Sequence, residues 1–295
     1  MSTTDNLNQN IKKNVLLSQY NWFNLGGPAE LFFKPKDKKE LVDILRYSKD
    51  KNLKINVIGA GSNTLIRDKG IKGLTIKLGK SFSQIKLLDN ETIEVGASAL
   101  DKKLAYYAQE NLISGFEFLS CIPGSLGGAV IMNSGCYGED ISKVFLSLRA
   151  INFNGEEIEI KKENIKFFYR KTNLPNDLII TSVVLKGKQS TKHYIDTKQS
   201  QMIETKKRSQ PSNVKTCGST FKNPEGEKAW ELIKRSHCEN LSVGDAKISK
   251  KHSNFFINNG KATSKQIESL ITKVRDKVLK KTGIDLELEI KIVGD

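Results

Sequence analysis

A chain of 295 residues is long enough to bury two or three cores. With 38% hydrophobic and 27% charged residues it has the composition of an ordinary soluble protein. It holds no run of eighteen apolar residues to span a bilayer, and residues 1–10 are polar, without the apolar centre of a signal peptide.

The formal charge of +15 invites a nucleic-acid reading, so its distribution matters more than its size. Only seven of the 48 basic residues are arginines, and the lysines are scattered over every segment in short clusters broken by acids. No RNP, zinc-finger or basic-zipper pattern accompanies them. The expectation is a solvated, lysine-biased surface that concentrates anionic ligands, with neither nucleic acid nor membrane as partner. Cys121, Cys136, Cys217 and Cys238 have no CxxC spacing, and His193, His237 and His252 form no HExxH. Reduced thiols in a cytoplasmic protein without a metal site are expected.

In chain order, Gly26-Gly27-Pro28 turns the chain into an apolar strand, Leu31 to Phe33. Asp37 caps a helix from Lys38 to about Asp50 whose apolar face is Leu41, Ile44 and Leu45. A buried strand, Ile55 to Ile58, delivers the loop GAGSN, Gly59 to Asn63, and Leu74 to Leu78 is a further strand. From Ser81 the pattern shifts to short alternating strands, Thr92 to Val95 the clearest, then a helix from Asp101 to Asn111 with Leu104, Ala105 and Ala108 inward. The stretch CIPGSLGGAVIMNSGCYGED, Cys121 to Asp140, follows, and it holds five of the 22 glycines and a short helix, Ala129 to Met132.

Val144 to Phe153, an Asn154-Gly155 turn and Glu157 to Ile160 read as a hairpin, and Leu178 to Leu185 as a buried strand. A polar connection with a helix from Asp196 to Arg208 leads into the last third. There the pattern gives a loop at Cys217 to Pro224, a helix from Glu227 to His237, a strand from Asn254 to Ile257, a helix from Ser264 to Lys281 and a final strand, Leu286 to Val293. Cuts near residues 80 and 188 divide the chain into segments 1–80, 81–188 and 189–295.

The glycine spacing leaves backbone N–H groups bare ahead of a helix, the arrangement that receives phosphate or another anion. A glycine-rich turn that merely packs tightly would look the same. GAGSN lacks the third glycine of the dinucleotide fingerprint, and no helix starts directly after it. Further on, Tyr169-Arg170 follows Phe167-Phe168, a context that also suits an amphipathic arginine lying over a core edge. Ser219 in CGSTFKNP has no G-x-S-x-G elbow or paired histidine, so a hydrolase triad is not expected. Alternation in LELEIKIVG sets Glu287, Glu289 and Lys291 on one strand face, where solvent exposure alone would explain them.

Together, GAGSNTLIRD, the Cys121–Gly138 stretch, the Tyr169-Arg170 pair, CGSTFKNP, AWELI, SKKHSNFFIN and the terminal glutamate resemble the bacterial UDP-N-acetylenolpyruvoylglucosamine reductases (MurB). The resemblance spans roughly residues 20 to 294, and the short stretch after Arg170 matches the branch without an inserted tyrosine loop. It implies an α+β fold in which a two-subdomain FAD-binding unit, of the PCMH/vanillyl-alcohol-oxidase kind, precedes a C-terminal α+β substrate domain. Segments 1–80 and 81–188 would be the FAD-binding subdomains and 189–295 the substrate-binding domain.

The implied cofactor is FAD, with NADPH as co-substrate, and the implied substrate is a UDP-sugar handled by a monomer. The implied flavin contacts are Gly59, Ala60, Gly61, Ser62 and Asn63 from the first loop. The second contributes Pro123, Gly124, Ser125, Gly127, Gly128, Asn133, Gly135 and Tyr137. The catalytic residues would be Arg170, Ser219 and Glu289, with Tyr169, Lys222 and Asn223 binding substrate and His252 structural. The chain departs from the family pattern at Cys121, where glycine is common, at Cys136, where alanine is usual, and in HCENLSVGDA. Two other readings remain open on the residues alone: a flavin oxidoreductase with a different substrate, and a basic nucleotide- or nucleic-acid-binding protein.

Overall fold

The computed structural model describes residues 10–295, and the polar segment 1–9 lies outside the described residues. In chain order the main elements are β1 (Lys12–Leu16), β2 (Pro28–Phe33), α1 (Lys38–Asp50), β3 (Ile55–Val57), β4 (Thr64–Ile66), β5 (Ile71–Ile76), β6 (Ile85–Leu87), β7 (Thr92–Gly96), α2 (Asp101–Glu110) and α3 (Leu126–Ile131). They continue with β8 (Phe145–Asn152), β9 (Glu157–Lys161), β10 (Leu178–Lys186), α4 (Lys192–Ser209), α5 (Ala229–Arg235), β11 (Ala246–Ile248), β12 (Phe256–Asn258), α6 (Ser264–Thr282) and β13 (Lys291–Val293). The chain forms two compact units. The first comprises the described residues up to Lys13, Leu31–Ala60 and Gly73–Lys206, and the second Asn14–Glu30, Gly61–Lys72 and Lys207–Asp295.

Within the first unit, β3 and β5 run parallel with Ile55 opposite Leu74. The α1 helix packs its apolar stripe on them, with Leu41, Ile44 and Leu45 fully buried beside Phe33, Leu74 and Ile76. Each such side chain contributes roughly 1.5–3 kcal/mol of burial. Asp37 starts the helix, its carboxylate accepting from the Glu40 amide at 2.8 Å. β3 is less buried than its apolar composition implies, since Val57 is 43% exposed.

The second core of this unit lies on a five-stranded antiparallel sheet in the order β9–β8–β10–β7–β6. Leu148 pairs with both Ile160 and Val183, and Val183 in turn with Val95. The β8–β9 turn is held by Asn152, whose Oδ1 accepts from the Asn154 and Glu156 amides, and Gly155 takes the required φ of +84°. Against the sheet lie Leu104, Ala105 and Ala108 of α2 and Leu126, Ala129 and Val130 of α3. Three of these six residues are alanines, which lets backbone come close to sheet.

In the second unit, α5 and α6 pack with Ser242–Val243, β11 and β12, which form a three-stranded antiparallel sheet. A capping box starts α6: Thr263 accepts from the Gln266 amide while the Gln266 side chain accepts from the Thr263 amide. Gly283 ends it at φ +75°. The strand expected over Leu286 to Val293 is shorter, because only β13 is ladder-paired, parallel to β4 with Lys291 opposite Thr64. Upstream of it, Leu288 makes a single bridge to Phe221.

Candidate active site

In the first unit the beginning of the GAGSN loop meets the Cys121–Asp140 stretch. A Cβ on Gly59 would stand 2.7 Å from Ser125 Oγ, so a larger residue there would force the serine hydroxyl to shift. The Lys77 ammonium donates to the Gly59 carbonyl, and burial lowers its pKa. The expected bare amides at the start of α3 are not all bare: Leu126 N donates to Ala99 O at 2.9 Å and Gly127 N to Ala97 O at 2.8 Å. The helix start is instead fastened to the chain after β7, with the Gly127 Cβ position 3.1 Å from Ala97 Cβ. Pro123 and Gly124 precede it, and the Gly124 carbonyl accepts from the Asp101 amide at 3.2 Å.

Asn133 ties this stretch to the Tyr169-Arg170 pair. Its Nδ2 donates to Phe168 O at 3.2 Å, while its Oδ1 accepts from the Ser142 amide at 3.1 Å. Tyr169 and Arg170 form the turn between the short strands Phe167–Phe168 and Lys171–Thr172. Arg170 sits at φ +56°, its guanidinium 5.0 Å from the Tyr169 ring, and Nη2 donates to the Gly135 carbonyl at 2.8 Å. Asn133 at φ +39° and Tyr137 at φ +55° share the left-handed conformation. Three side-chain-bearing residues held there on neighbouring segments is the backbone strain that gathers at ligand sites.

The second unit assembles the remaining candidates. Ser219 bridges Phe255 in backbone pairing, and the Glu289 amide donates to the carbonyl of the next residue, Thr220, at 2.9 Å. Asn63 Nδ2 donates to the Glu289 carbonyl at 3.0 Å, and the Lys291 amide to the Asn63 carbonyl at 2.9 Å. The tail of the GAGSN loop, Ser219 and Glu289 are thereby brought onto one backbone network. Glu289 is half-buried, whereas the Glu287 side chain on the same face is 73% exposed. Gly61 takes φ +69°, and its carbonyl accepts from the Trp22 amide at 3.0 Å.

Lys222 and Asn223 already have partners. Lys222 Nζ stands 2.5 Å from Glu287 Oε1, and Asn223 Oδ1 accepts from the Ala229 amide at 3.0 Å at the start of α5. His252 lies between Trp230 and Phe255, and burial lowers its pKa, consistent with a packed neutral ring.

Three residues at these loops carry no motif. Asp101, the first residue of α2, is completely buried, and both carboxyl oxygens lack a hydrogen-bond partner among the described residues. Burial pushes its pKa up to about 8. Lys206 on α4 donates to the Cys121 carbonyl at 2.7 Å, and Lys77 holds Gly59. The only sequence signal for any of them is negative: a helix-start aspartate and two scattered lysines read as solvent charge. Among the described residues no cluster of three or more His, Cys, Asp or Glu could hold a metal ion, and no helix is long and apolar enough to cross a membrane.

A glycine drawn close to the Ser125 hydroxyl, a nearby ammonium and left-handed residues on neighbouring segments fit an anionic dinucleotide. Residues 29–161 match the family profile described as "FAD binding domain", so the class is that of FAD-binding proteins. Residues 210–293 match the profile of the UDP-N-acetylenolpyruvoylglucosamine reductase C-terminal domain. The chain belongs to the UDP-N-acetylenolpyruvoylglucosamine reductase family. Reductases of that name from Rickettsia peacockii and from Wolbachia pipientis are each 45% identical to it, covering 96% and 95% of this chain and 95% of their own. The Pelagibacter ubique reductase is 44% identical over 94% of this chain and 92% of its own. The crystal structure of the Thermus caldophilus reductase superposes with a TM-score of 0.85 at 32% identity, over 96% of this chain and all of that one.

Proposed function

We propose that this chain reduces UDP-N-acetylglucosamine-enolpyruvate to UDP-N-acetylmuramate, a peptidoglycan precursor, with FAD as cofactor and NADPH as reductant. The observation that carries the residue-level reading is the network that sets Ser219 beside Glu289, through Thr220 O, and Glu289 beside Asn63. Bound FAD would supply the hydride chemistry between NADPH and the enolpyruvyl β carbon. Gly59 to Asn63, the Pro123–Gly128 turn, Asn133, Gly135 and Tyr137 would hold it.

Ser219 holds the proton destined for the substrate α carbon. Arg170 and Glu289 stabilise charge that develops on the carboxylate side, and the left-handed turn and the Gly135 carbonyl fix the guanidinium in advance. Tyr169, Lys222 and Asn223 line the substrate; Lys222 would leave Glu287 for a phosphate or carboxylate. Segments 1–80 and 81–188 serve the flavin and 189–295 the UDP-sugar. The enzyme works in the cytoplasm as a monomer, without nucleic acid or membrane.

The test is a visible spectrum taken before and after anaerobic NADPH, then after the enolpyruvyl nucleotide sugar. Flavin bands should bleach with the first and return with the second. In Ser219→Ala the bleaching persists while the return slows by ~10² to 10⁴-fold, the range for loss of a general acid. A protein that takes up no FAD overturns the whole reading, and Ser219→Ala with full turnover overturns the role of Ser219.

A further inference from the structure

Two of the four cysteines face each other where the flavin-side loops are pinned, and the proposed reaction uses neither. Cys121 ends the turn Glu117–Cys121, and Cys136 lies in the short strand Gly135–Cys136. The Cys136 thiol donates to the carbonyl of Phe118 in that same turn at 3.5 Å, which sets it beside Cys121. Ser120 Oγ is 3.7 Å from Cys121 Sγ, and the Lys206 ammonium sits on the Cys121 carbonyl. Cys121 is buried and Cys136 half-buried.

From this juxtaposition we propose that Cys121 and Cys136 form a peroxide-reactive dithiol that closes reversibly to a disulfide. The charge balance favours one thiolate shared by the pair and resident on Cys121. The hydrogen bond from Cys136 is the main reason its pKa falls to about 6, with Ser120 and Lys206 acting in the same direction against burial. The partner moves the opposite way: its hydrogen bond to Cys121 and its burial hold Cys136 protonated. An attacking thiolate beside a resolving thiol is the arrangement that oxidation to a disulfide requires.

The Cys121 thiolate attacks one oxygen of hydrogen peroxide, the O–O bond breaks, and hydroxide leaves as the sulfenic acid forms. The Cys136 thiol then gives up its proton, its sulfur attacks Cys121 Sγ, the S–O bond breaks, and water leaves. Two thiols are oxidised to one disulfide and one peroxide is reduced to two waters. Closing the pair draws the sulfurs to about 2 Å, moving the end of one short turn toward one short strand. Cys217 and Cys238, both buried in the second unit and far apart in the sequence, serve as internal controls.

The test is peptide mapping of the full-length reduced protein after hydrogen peroxide and alkylation, independent of the flavin reaction. Cys121 and Cys136 should lose alkylation together and appear as one cross-linked peptide pair, released by dithiothreitol. In Cys136→Ser the sulfenic acid should persist on Cys121 and be trapped by dimedone. Peroxide-treated wild-type protein in which both thiols remain alkylatable overturns the proposal, as does Cys121 advancing to sulfinic acid without a cross-link. A Cys121→Ser protein whose Cys136 takes up dimedone as fast as Cys121 does in Cys136→Ser overturns the assignment of the attacking sulfur.

Discussion

Asp101→Asn should reverse part of the pH dependence of stability. At the start of α2 a carboxylate is favoured by the helix dipole by about 0.3–1 kcal/mol. Complete burial without a hydrogen-bond partner among the described residues opposes it with a desolvation penalty of several kcal/mol. Desolvation wins, and the carboxyl keeps its proton up to about pH 8, against an ordinary value of 3.8. Between those values the unfolded chain ionises while the folded one stays protonated, so the folded state binds about one proton more. Unfolding free energy therefore falls as pH rises, by about 1.4 kcal/mol per pH unit, and the slope vanishes below and above that window.

An asparagine at 101 has nearly the same shape and no proton to lose. Urea unfolding of both proteins from pH 4.5 to 8.5 isolates the effect, because every other titrating group cancels in the difference. The stability of the wild type relative to Asp101→Asn should drop steadily toward pH 8 by up to about 4 kcal/mol over three pH units. Parallel pH profiles would refute the argument, and a wild type that gains on the variant with rising pH would mean an ionised Asp101 working with the helix dipole.

Gly61→Ala places a Cβ at φ +69° against Asn21 Cα at 2.7 Å and against the Tyr20 carbonyl. The left-handed penalty alone is about 1–2 kcal/mol, so urea unfolding should show at least that loss, together with weaker FAD uptake in a titration. Thr263→Ala removes half of the α6 capping box and should cost about 0.5–2 kcal/mol in the same measurement, recovered by Thr263→Ser. Arg170→Lys keeps the charge but loses the planar fork. In the stopped-flow assay it should slow return of the flavin bands by about tenfold or more while leaving bleaching by NADPH unchanged.

How much of this was legible beforehand divides along the range over which each feature is decided. The apolar stripe of α1, the Asp37 cap and the Asn154-Gly155 turn are settled within a few residues, and the structure has them where the pattern puts them. The short reach of β13 was not legible. Leu286 to Ile290 alternate correctly, yet Leu286, Ile290 and Phe221 bury against α6 and its neighbours instead of extending the β4 ladder. The glycine loops were recognisable, but their anion-facing amides were overestimated because the partners of Leu126 and Gly127 sit 27 and 30 positions back along the chain, at Ala99 and Ala97.

The same reasoning explains Asp101 and Lys206. An acid at a helix start and a lysine late in a polar helix have no local pattern that separates them from surface charge. What makes each unusual is tertiary: Asp101 is completely buried where its amide meets the Gly124 carbonyl, and the α4 ammonium is drawn to a carbonyl 85 residues upstream. Asn133 shows the converse. A single buried amide joins the glycine-rich segment to the Phe168 carbonyl, so the position of Arg170 depends on a residue 37 places earlier whose only sequence mark was its place among glycines. Substituting Asn133 should therefore disturb Arg170 as well as any flavin contact it makes, because its amide is one of three side-chain bonds that join the segments, with Arg170 on the Gly135 carbonyl and Thr172 on the Ile131 carbonyl.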